Sequence, residues 1–210
     1  IQSTYNTIGG FIALKLNAAV HNSTHVNMNQ TVTNVLAECQ NLLESGYQKI
    51  LIGFFDEMTD FDQVLYDKCG WLYSAGYFSA PIKWNNTAAF FMVESNEAYG
   101  KNISYYNFIT ADHLQDEIEN LDSQQFLNGE VFFISGDNNE WEWENLYQPL
   151  VNKINFKQII HFKRIYGESP TSSATAMAIA YDSLSKAGEK AFILNRFFDL
   201  GIEIILLEYI

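Results

Sequence analysis

Between residues 31 and 45 the apolar side chains Val32, Val35, Leu36, Cys39, Leu42 and Leu43 recur every three or four positions, and Gly46 follows as a stop. This spacing predicts an amphipathic helix. Directly behind it, residues 49–55 read Lys-Ile-Leu-Ile-Gly-Phe-Phe, an unbroken apolar run of strand length that ends in Asp56-Glu57. Such a run predicts a strand covered on both faces. Residues 88–93, 131–135, 158–162, 191–194 and 202–207 repeat the pattern. Two helices are expected among the later strands: an acidic amphipathic one over 112–121, and an alanine-rich one over 172–187 with Ala174, Met177, Ala178 and Leu184 spaced for close packing. Residues 66–86 show no sustained period and read as an ordered excursion over the core. Helices that feed buried strands predict an α/β layer structure. No Gly/Ser linker marks a boundary, so residues 1–210 read as one domain of two lobes, about 1–110 and about 130–210, joined by the acidic stretch 112–129.

Composition agrees with a globular chain: 48% hydrophobic and 18% charged residues with three prolines exclude a disordered or collagen-like one. Charge excludes more. Twelve Lys+Arg against 25 Asp+Glu leave −13, which lacks the cationic footprint that nucleic acid or anionic lipid needs. No apolar run approaches the roughly 18 residues of a spanning helix, so no membrane insertion is expected and the chain reads as cytoplasmic. Cys39 and Cys69 lack metal or thioredoxin spacing and read as reduced thiols, with Cys39 on the core face of its helix. With only His21, His25, His113 and His161 beside them, no zinc site and no cofactor is expected. Gly9-Gly10, inside a helical segment, has no Lys-Ser/Thr after it, and no Gly-x-Ser-x-Gly elbow exists. Asp56/Glu57 and Glu140/Glu142/Glu144 read as solvated acidic loops, and the Asn-x-Ser/Thr triplets at Asn22, Asn29 and Asn102 as products of an Asn-rich composition.

Five landmarks in order carry a resemblance. Asn6-Thr7-Ile8-Gly9-Gly10, the stretch from Ser45-Gly46 to Asp56, Ala88-Ala89-Phe90-Phe91-Met92-Val93-Glu94, the segment from Tyr166 to Ala174, and Ile193-Leu194-Asn195-Arg196-Phe197 together resemble a β-ketoacyl synthase of the thiolase fold. The resemblance implies an α/β fold, the thiolase-like layered α/β/α/β/α arrangement in a shortened form with two pseudo-duplicated lobes. It points to the chain-length-factor-like type found in aryl polyene and flexirubin pigment clusters. Since those proteins begin well before the helix seen here, Ile1 is expected to be an internal start, with the first strands of the first lobe absent.

Condensation in that family needs a cysteine at a helix N-terminus and two histidines that promote decarboxylation and stabilise the oxyanion. Counting from either flanking landmark, the nucleophile position falls on Asn29, within Asn27-Met28-Asn29-Gln30-Thr31; as an asparagine it is also suited to cap a helix opening at Gln30. The family lysine is retained at Lys163, but Glu168 stands where the second histidine belongs. After the strand 131–135 the chain reads Gly136-Asp137-Asn138-Asn139-Glu140-Trp141, with no imidazole for the first. His161, in an apolar run near Lys163, reads as a satisfied or surface histidine. The loop from Asn195 to Gly201 keeps one glycine, so a stiffened hinge is expected.

The resemblance therefore implies a catalytically inactive subunit that pairs with an active ketosynthase or with itself, and meets acyl carrier protein only indirectly. The residues expected along the acyl tunnel and interface are Asn27, Met28, Asn29, Gln30, Phe197 and Phe198, next to a pairing strand over 23–28. A malonyl-thioester decarboxylase and a scaffold module with no acyl partner are the alternatives. Carrier docking to this acidic chain would require Lys163, Arg164, Lys186, Lys190 and Arg196 to cluster.

Overall fold

A computed structural model describes residues 7–69, 84–95, 100–124, 126–152, 154–197 and 201–210. Helix α1 (Thr7–Lys15) opens the chain, followed by a 3-10 turn (Met28–Gln30) that leads into α2 (Thr31–Glu44). Gly46, at φ +97°, ends α2 and turns the chain into β1 (Lys49–Asp56). Helix α3 (Asp60–Lys68) follows, started by a capping box in which Thr59 and Asp62 exchange hydrogen bonds. Then come β2 (Thr87–Glu94), β3 (Lys101–Ile109), α4 (Leu114–Ser123) and β4 (Glu130–Ser135). A composite run of α5 (Glu140–Glu142), a π-helical turn (Trp143–Tyr147) and α6 (Gln148–Val151) precedes β5 (Gln158–His161). The short α7 (Phe162–Tyr166), α8 (Ser172–Ser183), β6 (Glu189–Arg196) and β7 (Ile202–Tyr209) complete the order.

Two sheets form. β1 pairs antiparallel with β2; the second sheet runs β3-β7-β6-β4-β5, with β4 parallel to both β5 and β6, and β7 antiparallel to β6 and β3. Between them lies one core. Val32, Leu36 and Cys39 of α2 and Ala174, Ala176, Met177 and Ala180 of α8 meet Ile52 and Phe54 on one side, and Ile134, Ala191, Ile193, Ile205 and Leu207 on the other. The small residues of α8 let it lie close to both sheets, as their spacing predicts. A second core covers the opposite face of the larger sheet, where Ile118 and Leu121 of α4 and Tyr147 of the π turn pack on Phe133, Phe192, Leu194, Ile204 and Leu206. The order of layers is thus sheet, helices, sheet, helices: the layered α/β architecture in shortened form.

Several expectations shift. β3 carries no apolar period because every one of its residues is half-buried; although it falls within the span read as the first lobe, it joins the sheet of the second. The strand expected over 158–162 stops at His161, and Phe162 begins α7. Helix α8 ends at Ser183 rather than 187, because Leu184 turns extended. Of the excursion over 66–86, Tyr66 belongs to α3, Trp84 stacks on Tyr66 at 4.6 Å, and residues 70–83 lie outside the described ones. Residues 21–27 have no regular structure in the single chain, where the strand expected over 23–28 was to pair with a second subunit, and among the described residues β1's ladder runs to β2 alone. The segment is tied to α2 instead, where Glu38 accepts hydrogen bonds from His21 Nε2 (2.5 Å), Ser23 Oγ (2.9 Å) and His25 Nε2. Among the described residues, no helix is long and apolar enough to cross a membrane.

Candidate functional site

The loops that leave β4, β5 and β6 converge with the N-terminal turn of α2, and this is where the sequence places Lys163 and Glu168. They meet. Lys163 Nζ donates to Glu168 Oε2 at 2.6 Å and to the Arg196 carbonyl at 2.6 Å, and neither charged side chain of the pair has solvent exposure. The carboxylate also accepts from Asn138 Nδ2 (3.3 Å), Ser169 N–H (3.1 Å) and Ser172 Oγ (3.2 Å). Partners thus come from the loop after β4, from the α7–α8 segment after β5 and from the end of β6, which is the arrangement that makes a buried ion pair tolerable.

The chain of contacts continues from Ser172. Asn195 Nδ2, on β6, donates to Ser172 Oγ at 3.1 Å and to Ser173 Oγ at 2.6 Å. Its Oδ1 is buried without a hydrogen-bond partner among the described residues. It lies over Gly136, where a Cβ would stand 2.6 Å from it and 2.9 Å from the Leu194 carbonyl; only glycine fits where the loop after β4 passes β6. Opposite Asn195 in the ladder is Glu203, whose Oε1 accepts from Thr33 N–H at 3.1 Å and Thr33 Oγ1 at 3.2 Å. The carboxyl is 2% exposed, and burial, against hydrogen bonds from Ser173 and Thr33 and the charge of Lys163, pushes its pKa up to about 7. The N-terminus of α2 is therefore closed by a side chain of β7. This corrects the expectation of an Asn29 cap with a helix opening at Gln30: Asn29 lies within the 3-10 turn, α2 opens at Thr31, and its N-cap Gln30 makes no side-chain cap bond.

A second cluster stands at the end of β4. Asp137, without solvent exposure, accepts from Ser135 Oγ (2.6 Å), His161 Nδ1 (2.7 Å) and Arg164 Nε (2.6 Å). His161 is thus a satisfied histidine, with its ring edge-on to Trp143 at 4.7 Å. Glu142 is no solvated acid, contrary to expectation: it is 4% exposed, accepts from Asn138 N–H at 2.6 Å, and burial raises its pKa. Asp56 is likewise engaged, accepting from Thr171 N–H (2.6 Å) and Oγ1 (2.5 Å), and so ties the end of β1 to the loop before α8. Cys39 has its thiol pushed up to about 11, first by burial and then by Glu38, so no thiolate forms there at neutral pH.

Of the other residues singled out, Asn27 and Met28 are exposed and Gln30 half-buried on one surface. Asn27 Nδ2 donates to Gln30 Oε1 at 3.2 Å. Phe197 is elsewhere: it is buried, edge-on to Trp84 at 6.5 Å. Phe198 lies outside the described residues. The five cations that carrier docking would need are spent on the chain's own acids or carbonyls or lie apart. Lys186 bonds Glu130 at 2.9 Å and Lys190 stands 4.0 Å from Glu208 at one end of β6, whereas Lys163, Arg164 and Arg196 lie at the other. Sequence reasoning missed Glu203. Its signal was a single carboxylate inside the apolar run 202–207.

The groups that converge here are thus one lysine, carboxylates, amides and hydroxyls, nearly all consumed by one another. Among the described residues, no cluster of His, Cys, Asp and Glu is arranged to hold a metal ion.

No family model matches the chain, and no curated protein sequence matches it significantly. Solved structures do. A type II polyketide acyl carrier protein in complex with its ketosynthase bound to the hexaketide superposes over 99% of this chain with a TM-score of 0.73 at 12% identity. A tetronic acid condensing enzyme gives 0.72 over 99% at 12% identity, and the ishigamide ketosynthase/chain length factor 0.68 over 98% at 13%. The chain spans 65%, 75% and 62% of the lengths of those three proteins. It therefore has the thiolase-like fold of the ketosynthases, shortened.

Proposed function

We propose that this chain is a catalytically inactive, chain-length-factor-like subunit that pairs with an active ketosynthase in polyketide or fatty-acid-type biosynthesis in the cytoplasm, an aryl polyene pathway being the specific case. The observation that carries the reading is the Lys163–Glu168 pair. Where condensation would need an imidazole to stabilise an oxyanion, a carboxylate is held in place by a lysine and three further donors. Glu203 occupies the helix terminus that would otherwise favour a thiolate. Supporting it, the structural neighbours include ketosynthase and ketosynthase/chain length factor proteins. Asn27, Met28, Asn29, Gln30, Phe197 and Phe198 are the proposed residues of the acyl tunnel and partner interface, and carrier docking belongs to the catalytic subunit. A decarboxylase would still need the histidines replaced by Glu168 and the Asp137–Asn138 loop, which favours the non-catalytic reading.

Co-expression with an intact ketosynthase tests this. The expected result is a heterodimer on size-exclusion chromatography with native mass spectrometry, and an altered product length when this chain is omitted. Recovery of homodimers with unchanged product length would overturn the heterodimeric reading.

A further inference from the structure

Residues 19–26 form no helix or strand and make no backbone–backbone hydrogen bond among the described residues. Side chains hold them instead. His21, Ser23 and His25 alternate along the chain, which is the period of an extended segment, so all three reach one side of it. On that side stands Glu38, in the middle of α2, with 23% of its side chain exposed. Its Oε1 accepts from His21 Nε2 at 2.5 Å and from Ser23 Oγ at 2.9 Å, and its Oε2 accepts from His25 Nε2. Each carboxylate oxygen thus holds one imidazole. Burial pushes the Glu38 carboxyl up, but the bonds from His21, His25 and Ser23 and the charge of His25 outweigh it, so the acid lies below its usual range.

We infer that His21, Glu38 and His25 form a proton-controlled latch, which fastens residues 19–26 to α2 in mild acid and releases them in mild base. Imidazole is the side chain that changes charge between pH 5 and 8. Against two imidazoliums the carboxylate makes two charge-assisted hydrogen bonds, and against two neutral rings it keeps bonds to an uncharged donor. The latch is therefore tightest below about pH 6 and loosens as pH rises through about 7. One exposed pair contributes little, but two pairs on one half-buried acid act on the same short segment. The other titratable groups here do not oppose this. Cys39, next to Glu38 on α2, stays neutral because burial and Glu38 push its thiol up to about 11, and Tyr47, behind α2, lies edge-on to His21 at 6.5 Å. Glu203 titrates in the same window, but it reaches α2 through Thr33, with Lys163 as its neighbouring charge, and not through residues 19–26. The fastened residues lead into the Asn27–Gln30 turn proposed above as a partner interface, but the latch is a property of the single chain and does not rest on that reading.

A nitroxide label on the outward side of the segment reads the latch directly. It is attached at Val26→Cys, a position 59% exposed, with Cys69→Ser removing the exposed native thiol. Electron paramagnetic resonance of the whole protein separates immobile label, latched, from mobile label, released. The ratio of mobile to immobile label should rise roughly tenfold between about pH 5.5 and 8.5. Glu38→Gln, and independently the double variant His21→Asn with His25→Asn, should be mobile at every pH and lose the transition, whereas Glu203→Gln should keep it. A label equally mobile at both pH limits without these changes, a transition that survives both latch variants, or one that vanishes in Glu203→Gln would each overturn the proposal. So would loss of the far-UV circular dichroism of the fold in both latch variants, since the contact would then belong to the core and could not open by itself.

Discussion

Glu168 and Glu203 are both buried carboxylates beside the start of a central helix, and they are accommodated in opposite ways. Glu168 stands next to α8 with Lys163 at 2.6 Å and no exposed atom in either side chain, so its charge is matched by a full countercharge. Glu203 stands against α2 with the N–H and hydroxyl of Thr33 and the Ser173 hydroxyl as its donors and Lys163 as a charge without direct contact, and burial raises its pKa to about 7. The helix terminus favours an anion at both places, but a few neutral donors do not offset full burial as a lysine does. The first carboxylate is held in an ion pair, and the second is poised between two states.

Removing the lysine should break the contrast most severely. Lys163→Met leaves Glu168 buried without its cation and is expected to cost about 3–5 kcal/mol in urea unfolding, most of it recovered when Glu168→Gln is added. The next largest effect is on pH. Because the folded state keeps Glu203 protonated to about pH 7 while an unfolded carboxyl releases its proton near 4.5, the folded state binds more protons in that window. Stability therefore falls as pH rises from about 4.5 through 7, by on the order of 3 kcal/mol, and Glu203→Gln should flatten that slope in unfolding curves taken across the range. Thr33→Val removes one of the donors to Glu203 and keeps the N–H; a loss of about 1 kcal/mol is expected, with the Glu203 transition moved to higher pH. The smallest effect concerns the thiols and is kinetic. An aromatic disulfide reagent should label the exposed Cys69 rapidly and Cys39 only on unfolding, since Cys39 is buried and its thiol is held near 11. Rapid labelling of both would show that α2 opens readily and that Glu203 does not hold it.

The elements that share the central core were legible because burial imposes a helical period or an apolar run: α2, β1, β4, β6 and β7 lie within two residues of their expected ends, although β1, expected to be covered on both faces, is exposed along one. β3 was not, since its nine residues are all half-buried and Asn102, Ser104 and Asn107 interrupt the apolar ones. α3 was missed because it exposes Phe61, Val64 and Leu65, so its apolar residues do not mark an inner face, and its signal was the Thr59–Asp62 capping box. Of the site, Lys163 and Glu168 were found because they lie five positions apart in one loop that carries the resemblance. The link from Glu203 to Thr33 spans 170 positions, and nothing local announces it. The strand expected over 23–28 came from the resemblance, as an edge that pairs across a subunit boundary, and within the single chain no strand lies beside it among the described residues.

On the proposed function, the polar groups at this site hold loops and helices together and do not condense acyl units. The most direct measurement is condensation of a carrier-bound acyl thioester with malonyl carrier protein by the purified chain and by Asn29→Cys, followed by mass spectrometry of the carrier. The account predicts no elongated product from either, because Glu168 and the Asp137 loop supply no imidazole even when a thiol is restored. Elongated product above the protein-free background from either form would contradict it.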